Sequence, residues 1–358
     1  SLEHFPNLVT MFFTHAGEKG DAPFLWRKTD GQWHAISWTE TARRIASLAA
    51  ALDGMGFGNG DRIALVSENR PEWCIADLAI MAAGCITVPT YITNTERDHL
   101  HILENSGAKA AFVSTAKLAK TLLPAVVQSS ECRTVIGSEP LRSGQQSDVE
   151  LWDLHILLDR HPADIEAVAA IAAKLRREDL ACIIYTSGTG GAPRGVRQHH
   201  GGILHNVEGC FDIIVNDFGN DNEVFLSFLP LSHAYEHSGG QFFPIGIGGQ
   251  IYYSEGLEKL GSNIEEVRPT IMVVVPRLFE VLRARIVKAL EKQGKPARWM
   301  LEQALRLGGI RHERGVLPLI ERPLDLMLDR LFRPKVKKRF GGRLKGMGSG
   351  GAPPHTHG

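Results

Sequence analysis

Apolar and polar positions along this chain follow two rhythms, and the two alternate. After Ser37-Trp38-Thr39-Glu40, a capping-box signature, Ala42, Ile45, Ala46, Ala49 and Leu52 recur at helical spacing until Gly54 and Gly56 stop the run. One amphipathic helix is expected there. Short apolar runs without a helical face come next. "DRIALVSEN" and "CITVPT" read as buried strands, and "PEWCIADLAIMAAG" between them reads as a helix entered through Pro71. "TERDHLHILENSG" reads as a helix, "AKAAFVS" as a strand, and "CRTVIG" as the strand after one further helix. Such alternation predicts an α/β fold of mixed, largely parallel sheets flanked by helices.

Between Gly137 and Val149 the sequence is polar and turn-rich, as a surface connection would be. A helix from Ile165 to Leu175 and a strand from Leu180 to Tyr185 then deliver the chain to "YTSGTGGAPRGV". Beyond it "EVFLSFLPL", "QIYYS" and "PTIMVVVP" read as strands, Arg277 to Arg339 as mostly helical, and "GRLKGMGSGGAPP" as a strand with a second glycine turn. A chain of 358 residues can build two or more compact units, and sub-domains are expected at 1–215 and 216–358.

Composition narrows the classes. Lys plus Arg and Asp plus Glu stand at 40 each, so no overall field draws the chain to nucleic acid. The balance is local: from Arg283 to Lys345 there are 18 basic residues against 6 acidic, which marks either solvated helix faces or a surface for acidic lipid or polyphosphate. Five scattered cysteines without a C-x-x-C pair suggest buried, reduced thiols and a cytoplasmic setting. The most apolar stretch, Leu78 to Ile92, is interrupted by Gly84, Thr87 and Pro89 and is shorter than the roughly 20 residues a membrane span needs. The opening "SLEHFPNL" has no basic n-region, so no secretory leader is expected, and it looks like a trimmed or tagged terminus.

The loop after the Leu180–Tyr185 run has the glycines and hydroxyls of a phosphate cradle. Three templates fail on it. A Walker loop needs Lys and a hydroxyl after its last glycine, where Val196 and Arg197 stand; the dinucleotide fingerprint needs glycine where Pro193 stands; a nucleophile elbow needs glycine where Tyr185 stands. "YTSGTGGAPRGV" instead closely resembles the phosphate-binding signature YTSGTTGxPKGV of the acyl-adenylate-forming (AMP-binding) superfamily. Gly190 replaces its second threonine and Arg194 its lysine. "SFLPLSHAYEH" (Ser227 to His237), "VVVPRLFEVLRARI" (Val273 to Ile286), "GMGSGGAPP" (Gly346 to Pro354), "GDRIALVSENRPEW" and "ILENSGAKAAFVS" are similar to other stretches of that family. The Ser-Gly-Gly-Ala-Pro turn and the long basic helical segment look most like its long-chain fatty acyl-CoA synthetases.

The resemblance implies a two-step, AMP-forming ligase: a carboxylate attacks the α-phosphorus of ATP, and CoA then takes the acyl group. It implies ATP, Mg²⁺ and CoA as cofactor and co-substrates, and a fatty acid as the remaining partner. It assigns Thr186, Ser187, Gly188, Thr189, Gly190, Gly191 and Arg194 to the β,γ-phosphates, with Thr186 also toward the metal. Gly350, Gly351, Ala352 and Pro353 would border adenine, and His233 the acyl carboxylate. His233 and His237 stand four apart around Glu236, but the H-E-x-x-H order of a zinc site is absent. The family's Y-G-x-T-E segment with its magnesium glutamate, its ribose aspartate and its small C-terminal domain with a carboxylate-contacting lysine do not occur in this stretch. The expectation is therefore an incomplete N-terminal adenylation domain, inactive by itself. A homodimer and a peripheral membrane contact stay open. So do two rivals: another ATP-dependent carboxylate-adenylating enzyme, and a non-catalytic remnant that binds nucleotide or fatty acid.

Overall fold

The structure, a computed structural model, describes residues 2, 4–142, 147–186, 191–220 and 222–349, the last three of these as backbone only. Among them thirteen strands form: β1 (Pro23–Thr29), β2 (Gln32–Ser37), β3 (Arg62–Val66), β4 (Ile86–Thr90), β5 (Ala110–Val113), β6 (Thr134–Gly137), β7 (Glu150–Asp153), β8 (Leu180–Thr186), β9 (Arg194–His199), β10 (Val224–Ser227), β11 (Gln250–Tyr253), β12 (Ile271–Val274) and β13 (Gly346–Ser349). The chain divides into two compact units, one of residues 1–223 and 227–253, the other of 224–226 and 254–358.

The first unit is built on a seven-stranded sheet in the order β7-β6-β5-β3-β4-β8-β9, parallel throughout except for the β8–β9 pair. Its middle strands are continuous apolar runs because helices cover both faces of a parallel sheet, and every residue of β4 and β5 is buried. In the same unit β1 pairs parallel with β11 and antiparallel with β2. The helix Pro71–Ala82 starts on proline, as a first-turn position allows, and is buried on almost every side. Asp77, in its middle, has no exposure at all. In the second unit β12 runs parallel to β10 and to β13, and helices follow from Pro276 to Arg339.

The alternation of strand and helix and the parallel pairing match the sequence reading, with four local differences. The turn after Thr29 makes β1 and β2 a hairpin, although β2 is largely exposed and shows no buried face to read. Ser37 caps the helix Trp38–Gly54 by accepting from Glu40 N at 3.0 Å, but the Glu40 carboxylate turns to Arg43 and Arg44, so only half of the capping box forms. The helix expected to Leu175 ends at Ala172. Cys210 is exposed, while the other four cysteines are buried and all five are free. No helix among the described residues is long and apolar enough to cross a membrane.

A buried histidine ties the unit's N-terminus to its centre. Leu8 N donates to His200 Nδ1 at 3.2 Å, and burial lowers the His200 pKa to about 4. The unfolded chain takes up this proton below about pH 6.5 and the folded chain does not, so stability is intact above that value and declines as pH falls toward 4. At pH 5 the loss through this one group should be about 2 kcal/mol. Denaturant midpoints compared at pH 7 and pH 5 check it, with His200→Asn, which keeps an acceptor near the Nδ1 position, expected to flatten the difference.

Candidate active site

β8 and β9 pair antiparallel, and the glycine-rich segment joins the two strands in sequence. The last registered pair is Thr186 with Arg194, which places a hydroxyl and a guanidinium opposite each other at the hairpin mouth. Both are exposed. One helix braces both arms. From Glu96–Ser106, Asn105 Oδ1 accepts from Tyr185 Oη at 2.6 Å, and His101 Nε2 lies 2.9 Å from the Pro193 carbonyl oxygen. Gly195 has a steric reason: a Cβ there would press on the Tyr185 ring and the Ile183 side chain. Gly191 meets nothing that would exclude a Cβ, so packing does not require it. Ser187, Gly188, Thr189 and Gly190 lie outside the described residues, as do Gly350, Gly351, Ala352 and Pro353. The backbone of β13 carries the chain to that second group.

His233 sits at the start of a short turn, Ala234–Glu236, where its Nδ1 accepts from Tyr235 N at 3.3 Å and its side chain is exposed. The segment around it is held from below. Asn69 Nδ2 donates to Ser227 Oγ at 3.1 Å and to the Leu229 carbonyl at 2.6 Å, while its Oδ1 accepts from Leu231 N at 3.1 Å. The backbone then runs from His233 into a π-helical turn, His237–Phe242, with His237 N donating to the His233 carbonyl at 3.0 Å.

Under this turn lies a buried polar cluster. His237 Nε2 is 2.7 Å from Asp77 Oδ2, and Gln241 Nε2 donates to the same oxygen at 2.7 Å. Cys182 Sγ faces His237 Nδ1 at 3.8 Å, and burial pushes its thiol well above the usual range, so it keeps its proton. Trp73 and Phe242 meet the imidazole edge-on. His237 is thus a buried anchor one turn away from the exposed His233. Among the described residues no group of three His, Cys, Asp or Glu could hold a metal ion. Among the described residues at the hairpin mouth, Thr186 carries a hydroxyl of the kind a hard cation takes.

Glu236 is buried beside this cluster. Ser227 Oγ donates to its Oε1 at 2.9 Å, its Oε2 has no partner among the described residues, and desolvation raises its pKa well above 4.5. Gly240 is required here, because a Cβ would fall on the Glu236 carboxyl group. The folded chain keeps this proton while the unfolded chain releases it, so the group costs stability as pH rises above about 4.5. Glu236→Gln, which keeps the Ser227 bond, should therefore gain on the parent as pH rises, by at most about 1.4 kcal/mol per pH unit. Thermal melts from pH 5 to pH 8 would show the gap widening; a constant gap would mean the carboxyl is ionised in the fold.

Sequence reading singled out Thr186, Arg194 and His233 as candidates; it did not point to Asn69, Asp77, His101, Asn105 and Gln241, which the fold packs around them. Asp77 had a signal, being the one acid inside the apolar run "CIADLAIMAAG". The others are ordinary polar residues until the fold brings them together.

Residues 12–357 match the family described as AMP-binding enzyme. A long-chain-fatty-acid–CoA ligase, FadD15, of Mycobacterium tuberculosis is 28% identical over 354 residues, covering 97% of this chain and 56% of the relative. Long chain acyl-CoA synthetase 7, peroxisomal, of Arabidopsis thaliana is 28% identical over 333 residues, or 91% of this chain and 45% of the relative. This chain therefore spans about half the length of the curated relatives it matches. Among solved structures, the A domain of a carboxylic acid reductase from Segniliparus rugosus, in complex with AMP and a co-purified carboxylic acid, superposes with a TM-score of 0.71. It is 18% identical and is covered to 56% by 97% of this chain, a likeness that speaks for the fold.

Proposed function

Because the chain belongs to the AMP-binding enzyme family, we propose that it is the ATP-handling part of an AMP-forming fatty acid:CoA ligase. The observation that carries the reading is the β8–β9 hairpin, whose mouth sets Thr186 against Arg194 at the end of a buried strand. Such a turn offers backbone N–H groups, a hydroxyl and a cation to an exposed polyphosphate without any protein nucleophile, which is what attack of a carboxylate on ATP requires. The loop residues Ser187, Gly188, Thr189, Gly190 and Gly191 share the phosphates with this pair in the proposal, and Gly350, Gly351, Ala352 and Pro353 border adenine. Mg²⁺, when bound with the nucleotide, neutralises phosphate charge, and Thr186 is the residue here that would offer it an oxygen. His233 orients the acyl carboxylate, held in place by Asn69 below and by His237 one turn on.

Long-chain acids are the proposed substrates, supported by the names of the relatives in Mycobacterium tuberculosis and Arabidopsis thaliana, a long-chain-fatty-acid–CoA ligase and a long chain acyl-CoA synthetase. CoA is the proposed acceptor, and a peripheral membrane contact belongs to the same reading, since such acids partition into bilayers. Fatty-acid-dependent exchange of pyrophosphate into ATP, run on the full-length protein across a series of acids, tests the chemistry and the class together. Each further buried methylene contributes about 0.8 kcal/mol, so kcat/KM should climb up to about four-fold per methylene until the acyl site is full. Equal rates on acetate and on a long-chain acid would refute the substrate class, and ADP as the product would refute the chemistry.

A further inference from the structure

We propose that the turn joining the helices Lys295–Arg314 and Arg322–Leu331 docks on an anionic lipid bilayer. The inference rests on the proposed membrane contact and gives it a surface. Val316, Leu319 and Ile320 are 69%, 76% and 88% exposed, the three most exposed large hydrophobic side chains among the described residues. Their position is forced by the packing behind them. Leu317 turns inward to a small core with Leu307, Leu328 and Phe332, and the one-turn helix Leu319–Glu321 that follows Pro318 then holds its two aliphatic side chains outward.

The charges around them point the same way. Val316 and Leu326 share an open depression of about 360 Å³ with Arg311, Arg322 and Asp325. Two acids of this region are already taken: Asp325 pairs with Arg311 at 2.8 Å and with Arg333 at 2.6 Å, and Glu321 takes Arg306 at 2.7 Å. Arg314 and Arg322 are exposed with no acidic partner among the described residues. Glu313 is the one nearby acid in the same position. A protein groove would accept the aliphatic side chains without needing the surplus of cations, and a polyanion in water would accept the cations without covering Leu319 and Ile320. A bilayer with anionic headgroups does both at one depth, aliphatic side chains entering the acyl boundary while arginines stay level with phosphate.

Flotation of the full-length protein with phosphatidylcholine vesicles, with and without phosphatidylglycerol, tests this. Binding is expected to the anionic vesicles and to weaken with added salt. Leu319→Asp with Ile320→Asp should lower it about ten-fold or more, and Arg314→Glu with Arg322→Glu should do the same. All four positions are exposed, so circular dichroism and acyl-CoA formation from fatty acid supplied on albumin should be unchanged. Equal binding by the variants, equal binding to neutral vesicles, or no binding to either would overturn the proposal. So would a wild-type dimer that the two aspartates convert to monomer, because a second copy would then be what covers the turn. Vesicle binding without acyl-CoA formation would leave this surface standing and sink the ligase reading; the reverse would sink the surface alone.

Discussion

Arg194→Ala in the full-length protein should slow fatty-acid-dependent exchange of pyrophosphate into ATP about ten-fold or more, while leaving the fold intact. Arg194 is the first residue of β9, exposed and registered opposite Thr186, so its guanidinium has no packing role to lose. Removing one charge-assisted contact to phosphate costs about 1.5–3 kcal/mol, which is a factor of ten to somewhat over a hundred in rate if the contact is made in the transition state. Arg194→Lys separates charge from shape. The family signature carries lysine at this position, so a point charge should restore most of the rate; a planar fork that grips two oxygens would not be replaced so easily. Full exchange by the alanine variant would take the hairpin mouth out of the mechanism.

Much of the sheet could be read from the chain because its strands are short apolar runs, and a strand buried on both faces announces itself by composition alone. β3, β4, β5 and β6 are of that kind. β9 is not. "RGVRQH" has no apolar alternation and is almost wholly exposed, and it is a strand because β8 offers it an edge. The loop signature therefore named candidate residues, while the geometry around them, a hairpin braced to the helix Glu96–Ser106, depended on long-range pairing that no local pattern records. The proposed acyl side divides in the same way. His233 belongs to a recognisable stretch, whereas the residues that hold it come from Asn69 and Asp77, more than 150 positions away in the chain.

That dependence makes His237→Ala the most damaging single change expected in the first unit. The imidazole is fully buried, and Asp77 Oδ2 receives it and Gln241 at the same oxygen, with Asp77 Oδ1 unpartnered among the described residues. Alanine removes one of two donors from a buried carboxyl group, empties the space between the Trp73 and Phe242 rings, and leaves Cys182 without its acceptor. Leaving a buried acid half-satisfied costs about 3–5 kcal/mol, and the cavity adds to it. A marginally stable unit has little more than that to lose. Asp77→Asn with His237 intact is the milder comparison, because an amide oxygen can still accept from one donor. The expected order of denaturant midpoints is wild type, then Asp77→Asn, then His237→Ala. A second readout separates the anchor from the bulk fold: at temperatures where Asp77→Asn is still folded, its KM for the fatty acid should rise more than its KM for ATP, since the His237–Asp77 pair positions the segment bearing His233 and meets the β8–β9 hairpin at Cys182, four residues before Thr186 and away from the hairpin mouth. Equal changes in both constants would reduce the pair to a purely structural contact.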